Sequence, residues 1–322
     1  MFPSIVSSRR RLWLLLLLAC AAAALLVVGP QPSRLNDYIL RHRLVMVSTM
    51  AVVAVASALA TLVFQTLTNN RILSPSMMGF ESLFVLIQTS LMFFLPLVHV
   101  AALPPLLLFF LQVALMMTLT TLLYRKILFG RAAQDLYLLV LTGIVCGALF
   151  GGGAMLLQRL LSPEDFAILQ GRLFARFSLA DPDLLMVSAL ITLLTSVWLW
   201  RRRHLLDVLA LGRATALLLG VDWSREVYRL LAVISLLVAM ATALIGPLSF
   251  FGFLAVTLCY QCLPSRYHQV MMPAAVLIGF AILCSGQLIL QYLLGMSGSL
   301  SVVMELIGGS LFLFTLLARK TS

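Results

Sequence analysis

The sequence predicts an all-α, polytopic membrane protein, a single helical bundle of about ten transmembrane helices, and three observations carry that reading. First, 62% of the 322 residues are hydrophobic and only 10% are charged, with a mean hydropathy of +1.09, too little polar surface to cover a water-soluble globule. Second, the apolar residues fall in long uncharged stretches, and about 20 such residues cross a hydrocarbon core of roughly 30 Å as a helix. Third, the basic residues gather in short segments between those stretches, where they set membrane topology. The formal charge of +11 therefore points to orientation in a membrane rather than to nucleic acid. Apolar runs of this length exclude a disulfide scaffold and a soluble enzyme, and the alternating pattern of an outer-membrane barrel is missing.

In chain order the predicted spans are 12–28, 44–67, 77–98, 100–123, 136–157, 184–200, 229–246, 249–263, 271–291 and 300–317. The first follows Ser8-Arg9-Arg10-Arg11 and ends in small residues before Gly29-Pro30, the pattern of a secretory or twin-arginine signal; with nine further spans, a retained helix is the simpler reading. The stretch 249–263 is short and begins beside Gly246-Pro247, so a full span and a half-helix both stand. With the N-terminus in the cytoplasm, sixteen of the 22 lysines and arginines fall inside and six outside. That bias predicts that both termini are cytoplasmic.

Two extramembrane stretches are long enough to fold. The outer one, Ser162 to Asp183, opens Ser162-Pro163-Glu164-Asp165 and continues through Phe166, Leu169, Leu173 and Phe174 at helical spacing, which predicts a surface helix over about 162–180. The inner one, Arg201 to Arg229, holds two short amphipathic runs closed by Gly212 and Gly220, which predicts a helix-turn-helix over about 201–225. The whole of 1–322 reads as one transmembrane domain.

Few residues invite chemistry. No phosphate-binding Gly-x-x-x-x-Gly-Lys-Ser/Thr loop occurs, and the two lysines are Lys126 and Lys320, so any ATP that drives this chain is bound elsewhere. His42, His99, His204 and His268 are scattered, and Cys259-x-x-Cys262 lies in an apolar stretch without a second pair, so neither predicts a metal site. No acid, histidine and nucleophile converge at one depth, so the chain reads as non-catalytic. Gly143, Gly147 and Gly151 clear one face of the fifth span, for close helix packing or for a passing substrate. Glu81 and Glu305 lie within spans, where a carboxylate must face a cavity or be paired or protonated; an ion-coupled secondary transporter would use such an acid.

Several stretches, taken in order, resemble the permease subunit of bacterial ABC importers for iron-siderophores, haem and cobalamin. They are Gln65-Thr66-Leu67-Thr68-Asn69-Asn70-Arg71 with Pro75 and Gly79 behind it; Leu209-Ala210-Leu211-Gly212 with Ala216 and Leu219-Gly220-Val221-Asp222; and Gly246-Pro247-Leu248-Ser249-Phe250-Phe251-Gly252. The first, with Phe166 to Ala175, is most similar to the ferric catecholate siderophore branch. The family's Leu-Arg-x-Pro-Arg segment before the second span is absent, with Arg41 and Arg43 a little upstream, and its Pro-His-x-x-Arg after the eighth span is replaced by Val256 to Gln261.

The resemblance implies a type II ABC importer permease that works with a second permease chain, identical or related, with ATPase subunits that bind ATP and magnesium, and with a substrate-binding protein. It implies that no cofactor is held by this chain and that the chain resides in the inner membrane of a bacterium. Leu209, Leu211, Leu217 and Leu218 would enter the ATPase cleft on turns set by Gly212 and Gly220. Arg41, Arg43, Arg172 and Arg176 would meet acids of the binding protein. Gln65, Met77, Met78, Phe80, Glu81 and Ser249 would line the path of a ferric siderophore, and haem or cobalamin stay open as cargo.

Overall fold

The computed structural model describes residues 3–28, 37–94, 104–129, 136–173, 177, 181–263, 265–293 and 299–318. Its helices are α1 (Pro3–Val28), α2 (Asp37–Thr68), α3 (Phe80–Phe94), α4 (Pro105–Phe129), α5 (Leu136–Leu160), α6 (Pro163–Leu173), α7 (Pro182–Arg201), α8 (Arg203–Leu209), α9 (Arg213–Leu218), α10 (Trp223–Ile245), α11 (Phe251–Cys262), α12 (His268–Leu288) and α13 (Leu300–Ala318). A 3-10 turn, Ser76–Met78, precedes α3, and a π-helical turn, Ile289–Leu293, continues α12. Among the described residues there is no strand. Each of the ten predicted spans coincides with a helix, and six helices are individually long and apolar enough to cross a membrane.

Local signals start and stop these helices. Ser162 caps α6 through its Oγ, which accepts from the Asp165 N–H at 3.2 Å while its hydroxyl donates to the Asp165 carboxylate at 2.7 Å, as the opening residues predict. Asp181 caps α7 ahead of Pro182, and Asp222 caps α10. Gly246, at φ +99°, ends α10 before Pro247, which has no N–H to continue the helix. Inside the spans, hydroxyls bond back one turn, as Thr49 does to the Val45 carbonyl at 2.8 Å and Thr242 to Val238 at 2.7 Å. These hydroxyls are thereby satisfied without water.

Helix α2 is central and packs against α1, α7, α10, α11 and α12, while α5 pairs with α3 at the periphery. Burial follows: 67% of the apolar window is buried in α2 and α10, against 11% in α5. The packing of the α3 start against α5 is the close approach that the glycines predict, because a Cβ on Gly79 would lie 2.9 Å from the Gly147 backbone. Gly151 and Gly152, by contrast, face open space.

Two predicted spans are half-length. α11 has 12 residues and α3 has 15, about 18 and 22 Å at 1.5 Å per residue, short of a roughly 30 Å core. Both begin within the bundle. A Cβ on Gly252 would lie 2.2 Å from Thr61 Oγ1 and 3.0 Å from the Ser57 carbonyl, level with the middle of α2. The half-helix reading of 249–263 is thus the one adopted. The second span is longer than expected, 32 residues from Asp37, so Arg41 and Arg43 lie on a helix rather than in a loop.

Candidate functional site

The two short helices between α7 and α10 form an elbow that projects from one end of the bundle. Its turns need glycine. Gly212 has φ +94° and ψ 165°, a region essentially closed to side-chain-bearing residues. Gly220, at φ +80°, closes α9 with a double bond pattern, its N–H to the Leu217 carbonyl and that of Val221 to Ala216, each at 3.0 Å. That is a Schellman cap, which places a left-handed residue one position past the helix end.

The elbow sorts its leucines by direction. Leu206 and Leu209 are fully buried against the bundle, whereas Leu211, Leu217, Leu218 and Leu219 are 61%, 50%, 88% and 60% exposed. Leu209, grouped in the sequence with the outward set, therefore turns inward because α8 packs against α2 and α12. Leu219 joins the exposed set in its place.

Polar anchors hold the base. Glu226 on α10 accepts from Arg202 and, at 2.6 Å, from Arg229, and the Arg202 guanidinium lies 4.4 Å from the centre of the Trp198 ring. On the other side Asp207 of α8 accepts from the His268 backbone N–H at 2.8 Å and lies 2.7 Å from its Nδ1. His268 Nε2 is 2.8 Å from Thr66 Oγ1 on α2. A buried chain of polar contacts thus joins the elbow to the ends of α12 and α2. Sequence alone assigns Asp207, His268 and Glu226 no role, and the local signal is that His268 stands three residues ahead of the 271–291 stretch.

The predicted path residues separate. Met78 and Phe80 are 1% and 0% exposed, packed in the core rather than along an opening; Met78 fills the space beside Gly143. Met77 is half-buried. Glu81 receives a hydrogen bond from the Ser249 hydroxyl, so the first turn of α3 is tied to the turn before α11. Two helix N-termini thereby face one carboxylate, a favourable dipole arrangement. Beside it is a cavity of about 20 Å³, walled by Ser57, Thr61, Ser76 and Thr242, room for one water. Gln65 lies apart, in the wall of a cavity of about 400 Å³ at the elbow end. Glu305 is exposed on α13.

The predicted docking arginines of α2 do not share one face. Arg41 and Arg43, two residues apart on α2, point about 200° apart around the helix. Arg172 is exposed in the last turn of α6, and Arg176 lies outside the described residues.

Comparison with known proteins agrees with this architecture. The chain is 36% identical to the petrobactin import system permease protein YclO of Bacillus subtilis (strain 168), over 89% of this chain and 90% of that one. It is also 36% identical to the petrobactin import system permease protein FatC of Bacillus anthracis, over 88% and 79%. Its fold is similar to the inward-facing structure of a metal-chelate type ABC transporter, with a TM-score of 0.81 at 22% identity over 97% of this chain and 99% of that one. PsaBC from Streptococcus pneumoniae in complex with a Fab follows at a TM-score of 0.60 and 13% identity, over 88% and 92%. The FecCD transport family matches residues 14–318, nearly the whole bundle, and the chain is a multi-pass membrane protein that belongs to this family.

Proposed function

We propose that this chain is the permease subunit of an ATP-driven importer in a bacterial inner membrane, with the elbow and both termini in the cytoplasm, and that its cargo is a ferric catecholate siderophore. Family membership and the two relatives named for petrobactin import support the transport role, and the likeness of residues 65–71 and 166–175 to the catecholate branch supports the cargo class. The observation that carries the mechanism is the exposed leucine cluster on the elbow. Four large apolar side chains stand beyond the bundle on a base anchored to three helices. Such a patch fits a hydrophobic cleft in a partner, where each buried leucine contributes about 1.5–3 kcal/mol.

In this reading Leu211, Leu217 and Leu218, joined by Leu219, seat in an ATPase subunit, which binds the ATP and magnesium. Closure of the ATPase pair draws two elbows together and shifts the bundle between outward and inward access. A second permease chain lies against the thinly covered α5, whose Gly151 and Gly152 leave room for a close helix. At the far end Arg172 and Arg41 offer cations to a loaded binding protein. Crosslinking from single cysteines at 211, 217 and 218 in the importer purified with its neighbours tests the elbow: crosslinks to an ATPase chain are the expected result. Their absence, or labelling of these cysteines from outside intact cells, overturns the proposal.

A further inference from the structure

The cavity at the elbow end is bounded by the tip of α2 and the turn after it, the α8–α9 corner, and the α11–α12 junction. None of its wall comes from α5 or α13. At about 400 Å³ it falls in the range of small-ligand pockets, about 300–1,000 Å³.

Its chemistry is one-sided. Arg71 and Arg266 bring two permanent cations to the wall, and neither has a carboxylate partner among the described residues. The Arg71 guanidinium lies 4.6 Å from the centre of the Tyr260 ring, a contact that positions the cation without neutralising it. The one carboxylate in the wall, Asp207, is engaged by His268. Gln65 is 2% exposed, and both its amide nitrogen and its amide oxygen are without a hydrogen-bond partner. An unpaired buried polar group is costly, so native proteins supply a partner. A ligand oxygen would accept from the Gln65 amide nitrogen and take the forked bonds of a guanidinium, while a hydroxyl on the same ligand would donate to the amide oxygen.

We infer that this cavity binds a small anion bearing phosphate or carboxylate groups at the cytoplasmic face. The inference rests on the orientation proposed above. The anion is either a free solute or the headgroup of an anionic phospholipid. Because Asp207, Ala210 and Leu211 belong to the same wall, an occupant touches the elbow and bears on its position.

The test uses the complete importer, permease with its ATPase, in phosphatidylcholine nanodiscs titrated with citrate and with inorganic phosphate. In parallel, the complex is extracted from native membrane and its retained phosphatidylglycerol is read by native mass spectrometry. The expected result is saturable binding of at least one probe. Arg71→Gln and Arg266→Gln, both at exposed side chains, each weaken it about tenfold, and Gln65→Leu weakens it as well. Binding of citrate or phosphate assigns the site to a solute; phosphatidylglycerol kept by the wild type and lost from the double arginine variant assigns it to a headgroup. No saturable binding of any probe, or equal binding by the double variant, overturns the inference. Failure of the wild-type chain to assemble with an ATPase overturns instead the import reading on which it stands.

Discussion

Replacing Gly212 by alanine tests whether the elbow transmits force, because the cost of that change is confined to backbone conformation. A Cβ at this position meets nothing nearer than the Asn69 Nδ2 at 4.0 Å, so no clash contributes. The strain comes from φ +94° and ψ 165°, and holding a side-chain-bearing residue there costs about 1–3 kcal/mol. That energy depletes the native elbow conformation by about 5–150-fold. α8 stays attached through the buried Leu206 and Leu209, so the displaced part is α9 with its exposed leucines. The assay is substrate-stimulated ATP hydrolysis by the reconstituted importer, with membrane insertion followed by protease protection. Stimulation falls about tenfold or more in Gly212→Ala with insertion unchanged, while Thr215→Ala, an exposed change on the same helix, leaves both alone. Wild-type stimulation in a fully inserted Gly212→Ala protein refutes the argument.

Other substitutions separate packing from coupling. Gly79→Ala destabilises by about 3 kcal/mol, since it combines φ +90° with a Cβ 2.9 Å from the Gly147 backbone, whereas Gly147→Ala costs less than about 1 kcal/mol; equal losses in thermal unfolding contradict the backbone-to-backbone contact. Leu206→Ala, at a fully buried side chain, lowers stability by about 2–5 kcal/mol, while Leu218→Glu at an 88% exposed one stays within about 0.5 kcal/mol yet releases the ATPase on purification. An ATPase retained by Leu218→Glu removes that leucine from the interface. Asp207→Ala costs about 2 kcal/mol by stripping two hydrogen bonds from His268, and Asp207→Asn, which keeps an acceptor, recovers part of it; identical melting curves for the two variants count against the carboxylate's role.

Much of the architecture was legible because it is written locally. Length and apolarity located ten helices, and the Ser162 start, the glycine closures of the elbow and the Gly143–Gly147 face each depend on residues a few positions apart. Depth was not legible. The stretch 249–263 is as apolar as its neighbours, and what halves it is the seat of Gly252 against Ser57 and Thr61, nearly two hundred positions away. The helix that carries the second span begins at Asp37, ahead of the apolar stretch, because a charged segment continues a helix freely once outside the hydrocarbon, which is how Arg41 and Arg43 come to lie on it. Leu209 is a different case: Leu205, Leu206, Val208 and Leu209 fall within one arc of about 160° around α8, so its inward turn follows from helical periodicity, and the similarity of the Leu-Ala-Leu-Gly run to a coupling segment drew it to the outward set instead. Asp207, His268 and Thr66 are joined across 61 and 202 positions, beyond the reach of any local pattern.

The division of the elbow into a held base and a bare tip bears on how much work it can carry. Shifting a two-state bundle from one conformation to the other takes about 5.5 kcal/mol of bias, and a joint that yields below that figure would bend instead of transmitting. Hydrogen bonds to charged groups contribute about 1.5–3 kcal/mol each, and here they run to two helices, from Arg202 to Glu226 on α10 and from Asp207 to His268 on α12. Burial of Leu206 and Leu209 adds about 1.5–3 kcal/mol per side chain. The attachment therefore exceeds the load it has to bear. Its destinations also matter: α10, α12 and, through Thr66, α2 are the most deeply buried of the six long apolar helices, while the thinly covered α5 makes no principal contact with the elbow. A pull on the leucine tip arrives first at the centre of the bundle, and the periphery moves only as the central helices carry it.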